Sequence, residues 1–120
     1  MVSRVPLEYA QVLEDLVRWV QNLKLLKRGA ESEIRVGYFM GLPAVFKLRV
    51  AKPYMHPKLA AQLISQRTRK EARVIAYALK NGIPAPSLLA VFTSIGLIVM
   101  EYVEGVTLKD YASRNPEGVM

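Results

Sequence analysis

One long segment without glycine or proline limits what this chain can fold into. Residues 58–80 are rich in alanine, leucine, glutamine, arginine and lysine, which favour helix. Pro57 stands where the first helical turn accepts proline, and Asn81-Gly82 is typical of a helix C-terminal cap. The segment predicts a single long helix, around which the rest of the 120 residues must be arranged.

Five short apolar runs on either side of this helix predict β-strands. Three precede the helix and two follow it: Leu25–Gly29, Ile34–Met40, Ala44–Val50, Ser87–Phe92 and Leu97–Val103. The turn signal Gly41-Leu42-Pro43 favours an antiparallel meander among the first three strands. The order of elements predicts an α+β fold, with one five-stranded antiparallel sheet and one long helix as its covering layer.

Two further segments have helical patterns. Apolar residues recur at three- and four-residue spacing from Leu7 to about Leu23, which predicts an amphipathic helix. We expect its apolar face to pack on its own sheet, on a missing neighbour, or on a dedicated partner. Thr107-Leu108-Lys109-Asp110 resembles a capping box and predicts the start of another helix. The predicted units are an N-terminal extension (1–23), a lobe (24–106) and the beginning of the next helix (107–120).

The composition excludes several kinds of site. The chain has no cysteine, so it can form neither a disulfide framework nor a cysteine zinc site. A single histidine, His56, excludes a multi-histidine metal site, and we expect this residue to cap a helix or lie in a loop. The uncharged stretch Asn81–Met100 has the length of a membrane span, but glycines and prolines interrupt it, which favours a β-hairpin. We expect a cytoplasmic protein with no metal site and no membrane partner.

The charge of the chain is concentrated in one segment. Lys47–Arg73 contains eight basic residues and one acidic residue, an excess equal to the formal net charge of +7 for the whole chain. Any surface that attracts an anion should therefore lie on this segment, and a solvated helix face is the alternative.

Lys47 stands inside an apolar strand, so it is either an edge residue that points to water or a charged residue with a functional role. Glu71 favours the functional role for Lys47, because on the predicted helix Glu71 shares an apolar face with Ile64 and Ile75. A carboxylate on that face needs a cationic partner, since an unpaired buried charge is costly. Lys47 is the predicted partner. In protein kinases, a strand lysine paired with a helix glutamate holds the α- and β-phosphates of ATP; a purely structural ion pair is the alternative.

Two further segments resemble parts of a protein kinase. Gly29-Ala30-Glu31-Ser32 lies between the first two strands, where a phosphate-covering loop would be, although it has only one glycine. Val99–Gly105 resembles the segment that joins the two kinase lobes. With these segments, the chain is similar to the PRPK family, the atypical serine/threonine kinase/ATPase of the KEOPS complex. The matching strings are Lys27–Glu31, Phe46–Lys52, Tyr54, His56-Pro57, Arg67–Arg73, Met100–Gly105 and Leu108–Asp110.

The resemblance implies an ATP site and a set of partners. The nucleotide-binding residues would be Lys47, Glu71, Gly29, Ala30, Glu31, Ser32, Val45, Met100, Glu101 and Val103. Among them, Met100 would be the gatekeeper, and the Glu101 carbonyl and Val103 amide would face adenine. The implied partners are KEOPS subunits, notably the enzyme that makes threonylcarbamoyl-adenosine in tRNA. The partner-docking residues would be Arg67, Arg69, Lys70 and Arg73.

The sequence departs from the family where catalysis is concerned. Phosphoryl transfer needs an aspartate beside the substrate hydroxyl, and an Asp and an Asn to hold magnesium. The two aspartates, Asp15 and Asp110, stand in neither motif, so we expect an N-lobe without its catalytic lobe and no catalysis by this chain alone. Mg²⁺ would bind only if a separate chain supplied that lobe. The alternative is a non-enzymatic module that docks on a protein or on tRNA and has a vestigial nucleotide site.

Overall fold

The computed structural model describes residues 7–104, which form two helices and five strands. In chain order the elements are α1 Leu7–Gln21, β1 Lys24–Arg28, β2 Ser32–Phe39, β3 Leu42–Arg49, α2 Pro57–Lys80, β4 Leu88–Phe92 and β5 Leu97–Glu101. Their ends differ from the predicted ends by no more than two residues. The helix predicted to begin at Thr107 lies outside the described residues.

The two largest differences at the C-terminal ends of elements have local causes. Helix α1 ends at Gln21 rather than near Leu23, because the amides of Asn22 and Leu23 bond to carbonyls three residues back in a tightened last turn. Strand β5 ends at Glu101 rather than Val103, at the residue that pairs with Ala44 of β3.

The strands form one antiparallel sheet in the order β1-β2-β3-β5-β4, which confirms the predicted α+β fold. Strands β1 to β3 are consecutive hairpins, and α2 carries the chain across so that β5 pairs with β3. Strand β3 is therefore central: its Lys47 pairs with Ile34 on β2 and with Ile98 on β5. Val45 of β3 pairs with Met100 of β5.

The two faces of the sheet have separate apolar cores. On the inner face, Ile75 of α2 packs with the strand residues Ile34, Val45, Ile98 and Met100. On the outer face, Val20 of α1 packs with Ala44, Phe46, Leu48, Leu97 and Val99. The sequence predicted one covering layer, whereas α1 forms a second and so packs on its own sheet. Covering both faces explains why residues 44–48 of β3 are all buried.

Helix α1 is fixed to the outer face by its C-terminal half. Val20 is fully buried, and the Trp19 ring lies edge-on against Phe46 with centroids 5.4 Å apart. The buried Arg35 donates from Nη1 to the Leu23 carbonyl at 2.8 Å and pairs with Glu33 at 2.9 Å. The end of the helix is thereby hydrogen-bonded to strand β2.

The ends of α2 follow from its caps. The His56 Nδ1 atom accepts a hydrogen bond from the Lys58 amide at 3.1 Å, so the histidine caps the helix as predicted. Asn81 caps the other end, and Gly82 takes a positive φ of 76°. The uncharged stretch that follows forms the predicted β4–β5 hairpin. Within residues 7–104, no helix is both long and apolar enough to cross a membrane.

Candidate functional site

The predicted contact between Lys47 and Glu71 is present and buried. Lys47 Nζ lies 2.7 Å from Glu71 Oε2, and only 5% and 1% of the two side chains are exposed. Strand β3 places the lysine on the inner face of the sheet, and α2 places the carboxylate above it, on the face that also carries Ile75. The predicted ion pair is confirmed.

Arg49 is a second cation at Glu71, and the sequence reasoning did not assign it a role. Its Nη2 lies 2.8 Å from Glu71 Oε1, so each carboxylate oxygen has its own cation. The arginine follows Lys47 by two residues and therefore points to the same side of β3. This two-residue spacing is the sequence signal that could have predicted the role of Arg49. If the side chain of Lys47 faces the helix, the side chain two residues later in the strand faces it as well.

The loop between β1 and β2 joins this cluster through Glu31. Arg67 Nη1 on α2 lies 3.1 Å from Glu31 Oε1, and Arg49 Nη1 lies 3.8 Å from the same oxygen. The Glu31 carbonyl also accepts from the Val50 amide at 3.0 Å, and the Gly29 amide donates to the Ser32 carbonyl at 2.8 Å. The loop thus lies between β1 and β2, joined to α2 by the Arg67–Glu31 ion pair and to β3 by the Arg49–Glu31 ion pair.

Val45 and Met100 lie on the same face as Lys47. Val45 precedes the lysine by two residues, and Met100 is its partner on β5. Both side chains are fully buried in the inner core.

Backbone hydrogen bonds hold the chain where β5 ends. The Glu101 amide donates to the Ser87 carbonyl at 2.9 Å, and the Tyr102 amide donates to the Pro43 carbonyl at 3.0 Å. Glu101 is exposed and Val103 is half-buried. That the Glu101 carbonyl and the Val103 amide face adenine stays a prediction.

The structure divides the four predicted docking residues between two sides of α2. Arg67 pairs with Glu31 and belongs to the ion-pair cluster. Arg69, Lys70 and Arg73 are exposed, and within residues 7–104 they take part in no ion pair. Arg67 is thus tied to the β1–β2 loop, while the other three point to solvent.

Among residues 7–104, three cations and two carboxylates meet in this arrangement. Lys47, Arg49 and Arg67 together face two carboxylates, those of Glu71 and Glu31. Glu31 is half exposed, so the buried part of the cluster is two cations around one carboxylate. Ammonium and guanidinium groups brought together in this way are chemically suited to bind an anion.

A five-stranded antiparallel sheet, with a strand lysine paired to a glutamate on its covering helix, defines a protein-kinase-like N-lobe. The crystal structure of the Rio2 kinase from Chaetomium thermophilum has the same fold. It matches with a TM-score of 0.59 over 81% of this chain and 34% of that chain, at 18% sequence identity. A comparison with profiles of known protein families finds no match.

Comparison with curated proteins narrows the family to which the chain is related. The chain is 37% identical over 100 residues to the EKC/KEOPS complex subunit Tp53rkb of Mus musculus, covering 82% of this chain and 41% of that protein. It is 35% identical over 100 residues to the KEOPS complex subunit Bud32 of Pyrococcus abyssi, covering 78% and 46%. The chain is therefore a homologue of the KEOPS subunits named Bud32 and Tp53rkb over the region of the kinase-like N-lobe.

The name of a third relative states a biochemical role. It is the probable bifunctional tRNA threonylcarbamoyladenosine biosynthesis protein of Methanothermobacter thermautotrophicus, 40% identical over 86 residues. The match covers 72% of this chain and 16% of that protein. The chain spans less than half the length of each of these three relatives.

Proposed function

We propose that this lobe binds ATP, with Lys47 holding the phosphates and Glu71 holding Lys47. The observation that carries the proposal is the buried ion pair at 2.7 Å between strand β3 and helix α2. An ammonium fixed in this way is positioned in advance to neutralise phosphate charge. The cations of the cluster support the same function, because ammonium and guanidinium groups form strong charge-assisted hydrogen bonds with phosphate.

The adenine end of the proposed site is the edge where β5 leaves the sheet. Val45 and Met100 lie in the buried core on the same face as Lys47, and we place the base at the edge of this apolar face. The Glu101 carbonyl and the Val103 amide are the proposed hydrogen-bonding groups. The Gly29-Ala30-Glu31-Ser32 loop is the proposed cover of the phosphates.

We further propose that this lobe acts as part of a KEOPS-type serine/threonine kinase/ATPase that supports threonylcarbamoyl-adenosine formation in tRNA. The names of the homologous subunits support this context. These 120 residues contain no motif for the catalytic aspartate or for magnesium binding, so phosphoryl transfer would need a complementary lobe. The proposed activity of the chain itself is therefore nucleotide binding, within a complex that includes the tRNA-modifying enzyme.

Titration with ATP tests the nucleotide site. Lys47→Met keeps the aliphatic stem in its buried position and removes the charge, so we expect ATP affinity to fall about 10- to 100-fold. Isothermal titration calorimetry on the purified chain measures the change. Lys70→Met is the matched control, because Lys70 is an exposed lysine on α2 beside Glu71. Equal affinity of the two variants would contradict the proposal.

A second candidate function is docking, and the solvent side of α2 favours it. Arg69, Lys70 and Arg73 point away from the sheet and have no ion-pair partner among residues 7–104. Tyr77 follows one turn later, 67% exposed. Unpaired cations beside an exposed aromatic ring are typical of surfaces that bind RNA. In this second candidate, α2 would dock on tRNA and the nucleotide site would be vestigial.

A further inference from the structure

The Glu71 carboxylate does not depend on Lys47 alone for charge compensation. Lys47 Nζ lies 2.7 Å from Oε2, and Arg49 Nη2 lies 2.8 Å from Oε1. Only 12% of the Arg49 side chain is exposed, so this second contact is also sheltered from solvent. If Lys47 moved, Arg49 would still bond the carboxylate.

This second contact matters once a phosphate binds at Lys47. An ammonium has three hydrogen-bond donors, and a donor that bonds phosphate is no longer available to bond the carboxylate. A buried carboxylate that loses its only partner is strongly destabilised. We propose that Arg49 is a positioning residue that keeps Glu71, and with it helix α2, in place while Lys47 binds phosphate. This proposal rests on the nucleotide site proposed above.

Arg49 also connects the helix to the β1–β2 loop. Its Nη1 lies 3.8 Å from Glu31 Oε1, so its two terminal nitrogens meet two different carboxylates. Its Nε is buried and has no hydrogen-bond partner among the described residues. The two carboxylates therefore set the orientation of the guanidinium. The Arg49 side chain therefore connects α2 to the loop that is the proposed cover of the phosphates.

Titration of single and double variants with ATP tests this role. We expect Lys47→Met to raise the Kd of ATP on the order of 30-fold and Arg49→Met on the order of tenfold. Because Arg49 acts through Lys47, Arg49→Met should raise the Kd less than about twofold further in the Lys47→Met background. Arg49→Lys keeps the charge but cannot bridge two carboxylates, so its loss should be smaller than that of Arg49→Met.

Arg35→Met is the matched control. Arg35 is also a buried sheet arginine bound to a glutamate, but it lies on the outer face and bonds the end of α1. Its substitution should lower the thermal unfolding temperature about as much as Arg49→Met does. It should leave the Kd of ATP within about twofold of the wild-type value, since additive behaviour is expected for distant sites.

The possible results separate the two proposals. Unchanged affinity in Lys47→Met would contradict the nucleotide site itself. Weaker binding in Lys47→Met with wild-type binding in Arg49→Met would contradict the positioning role alone. Full additivity in the double variant would make Arg49 an independent phosphate ligand, which also contradicts the positioning role. If Arg49→Met is unfolded at the assay temperature, Arg49→Lys replaces it, with a smaller expected rise in the Kd of ATP; wild-type binding in Arg49→Lys with weaker binding in Lys47→Met would then contradict the positioning role.

Discussion

At the scale of single residues, Glu71 is the most constrained side chain of the site. Its carboxylate is almost completely buried on a helix face that also buries Thr68, Ile75 and Ala78. Burying a carboxylate in this way requires nearby cations with good geometry. Lys47 and Arg49 meet that requirement at 2.7 and 2.8 Å. Replacing any one of the three would leave a buried charge with less compensation than it has in this arrangement.

Glu71→Gln should therefore be far more destabilising than its small change in shape suggests. The amide would remove the carboxylate that both buried cations bond, and we expect a loss of about 3–5 kcal/mol in the free energy of unfolding. Urea denaturation measures it. Glu31→Gln is the matched control, because Glu31 is half exposed and should lose at most about 1 kcal/mol. Similar losses in the two variants would contradict the central role of Glu71.

The sequence was sufficient to predict one ion pair of this cluster but not the others. Glu71 stood out because it interrupts an apolar helix face, and Lys47 because it interrupts an apolar strand. Arg49 lies near the end of its strand, where an arginine is commonly exposed, and only the packing of α2 shows that it is buried. The Glu31–Arg67 contact joins residues 36 positions apart and depends on how the loop lies against the helix.

At the scale of elements, the turn between β4 and β5 fixes α2 against the sheet. A short 3-10 turn, Thr93–Ile95, ends at Gly96, which takes a left-handed φ of 73°. A β-carbon on Gly96 would lie 2.5 Å from Ile64 Cγ2 and 3.2 Å from Arg49 Cβ. The glycine therefore permits both the turn and the close approach of α2.

Gly96→Ala should lose stability for two reasons. The left-handed backbone conformation costs a residue with a β-carbon about 1–2 kcal/mol, and overpacking against Ile64 adds about 1–3 kcal/mol. Gly41→Ala separates the two effects, because Gly41 has a φ of 83° but a β-carbon there would have no described atom within 4 Å. Urea denaturation of both variants measures the difference. An equal loss in the two would show that the contact with α2 contributes nothing.

Local sequence signals were enough to place the elements, because each boundary has a nearby cause. Pro57 and His56 begin α2, and Asn81-Gly82 ends it. The second covering layer was harder to predict. The apolar face of α1 shows that the helix needs a partner surface, but nothing in its own residues says which surface that is. The side chains that decide it, such as Phe46, belong to a strand far along the chain.

At the scale of the whole molecule, the positive charge is divided between an internal cluster and an exposed surface. Lys47 and Arg49 face Glu71 beneath α2, whereas Arg69 and Arg73 point to solvent. The high net charge of +7 therefore does not describe one continuous patch. The internal cations serve the proposed nucleotide site, and the exposed ones are available to a partner.

The salt dependence of RNA binding tests the exposed surface. If α2 docks on tRNA, Arg69→Ala combined with Arg73→Ala should lower the slope of log K against log salt by about 1.4–1.8, the range between single-stranded and paired RNA for two lost phosphate contacts. Fluorescence anisotropy with a labelled tRNA at several salt concentrations measures the slope. Lys24→Ala with Lys27→Ala removes the same charge from exposed positions on β1 and is the matched control. Equal slopes for the two double variants would contradict docking through α2.

The strand order has a consequence for how other proteins can meet this lobe. Because helices cover both faces, the outer edges of β1 and β4 are the ones that have no neighbouring strand among residues 7–104 and could pair with a further strand. Strand β1 carries Lys24, Lys27 and Arg28, and such charges discourage edge-to-edge pairing. Strand β4, Leu88–Phe92, carries no charge at all. A partner that extended the sheet would therefore add its strand beside β4 rather than beside β1.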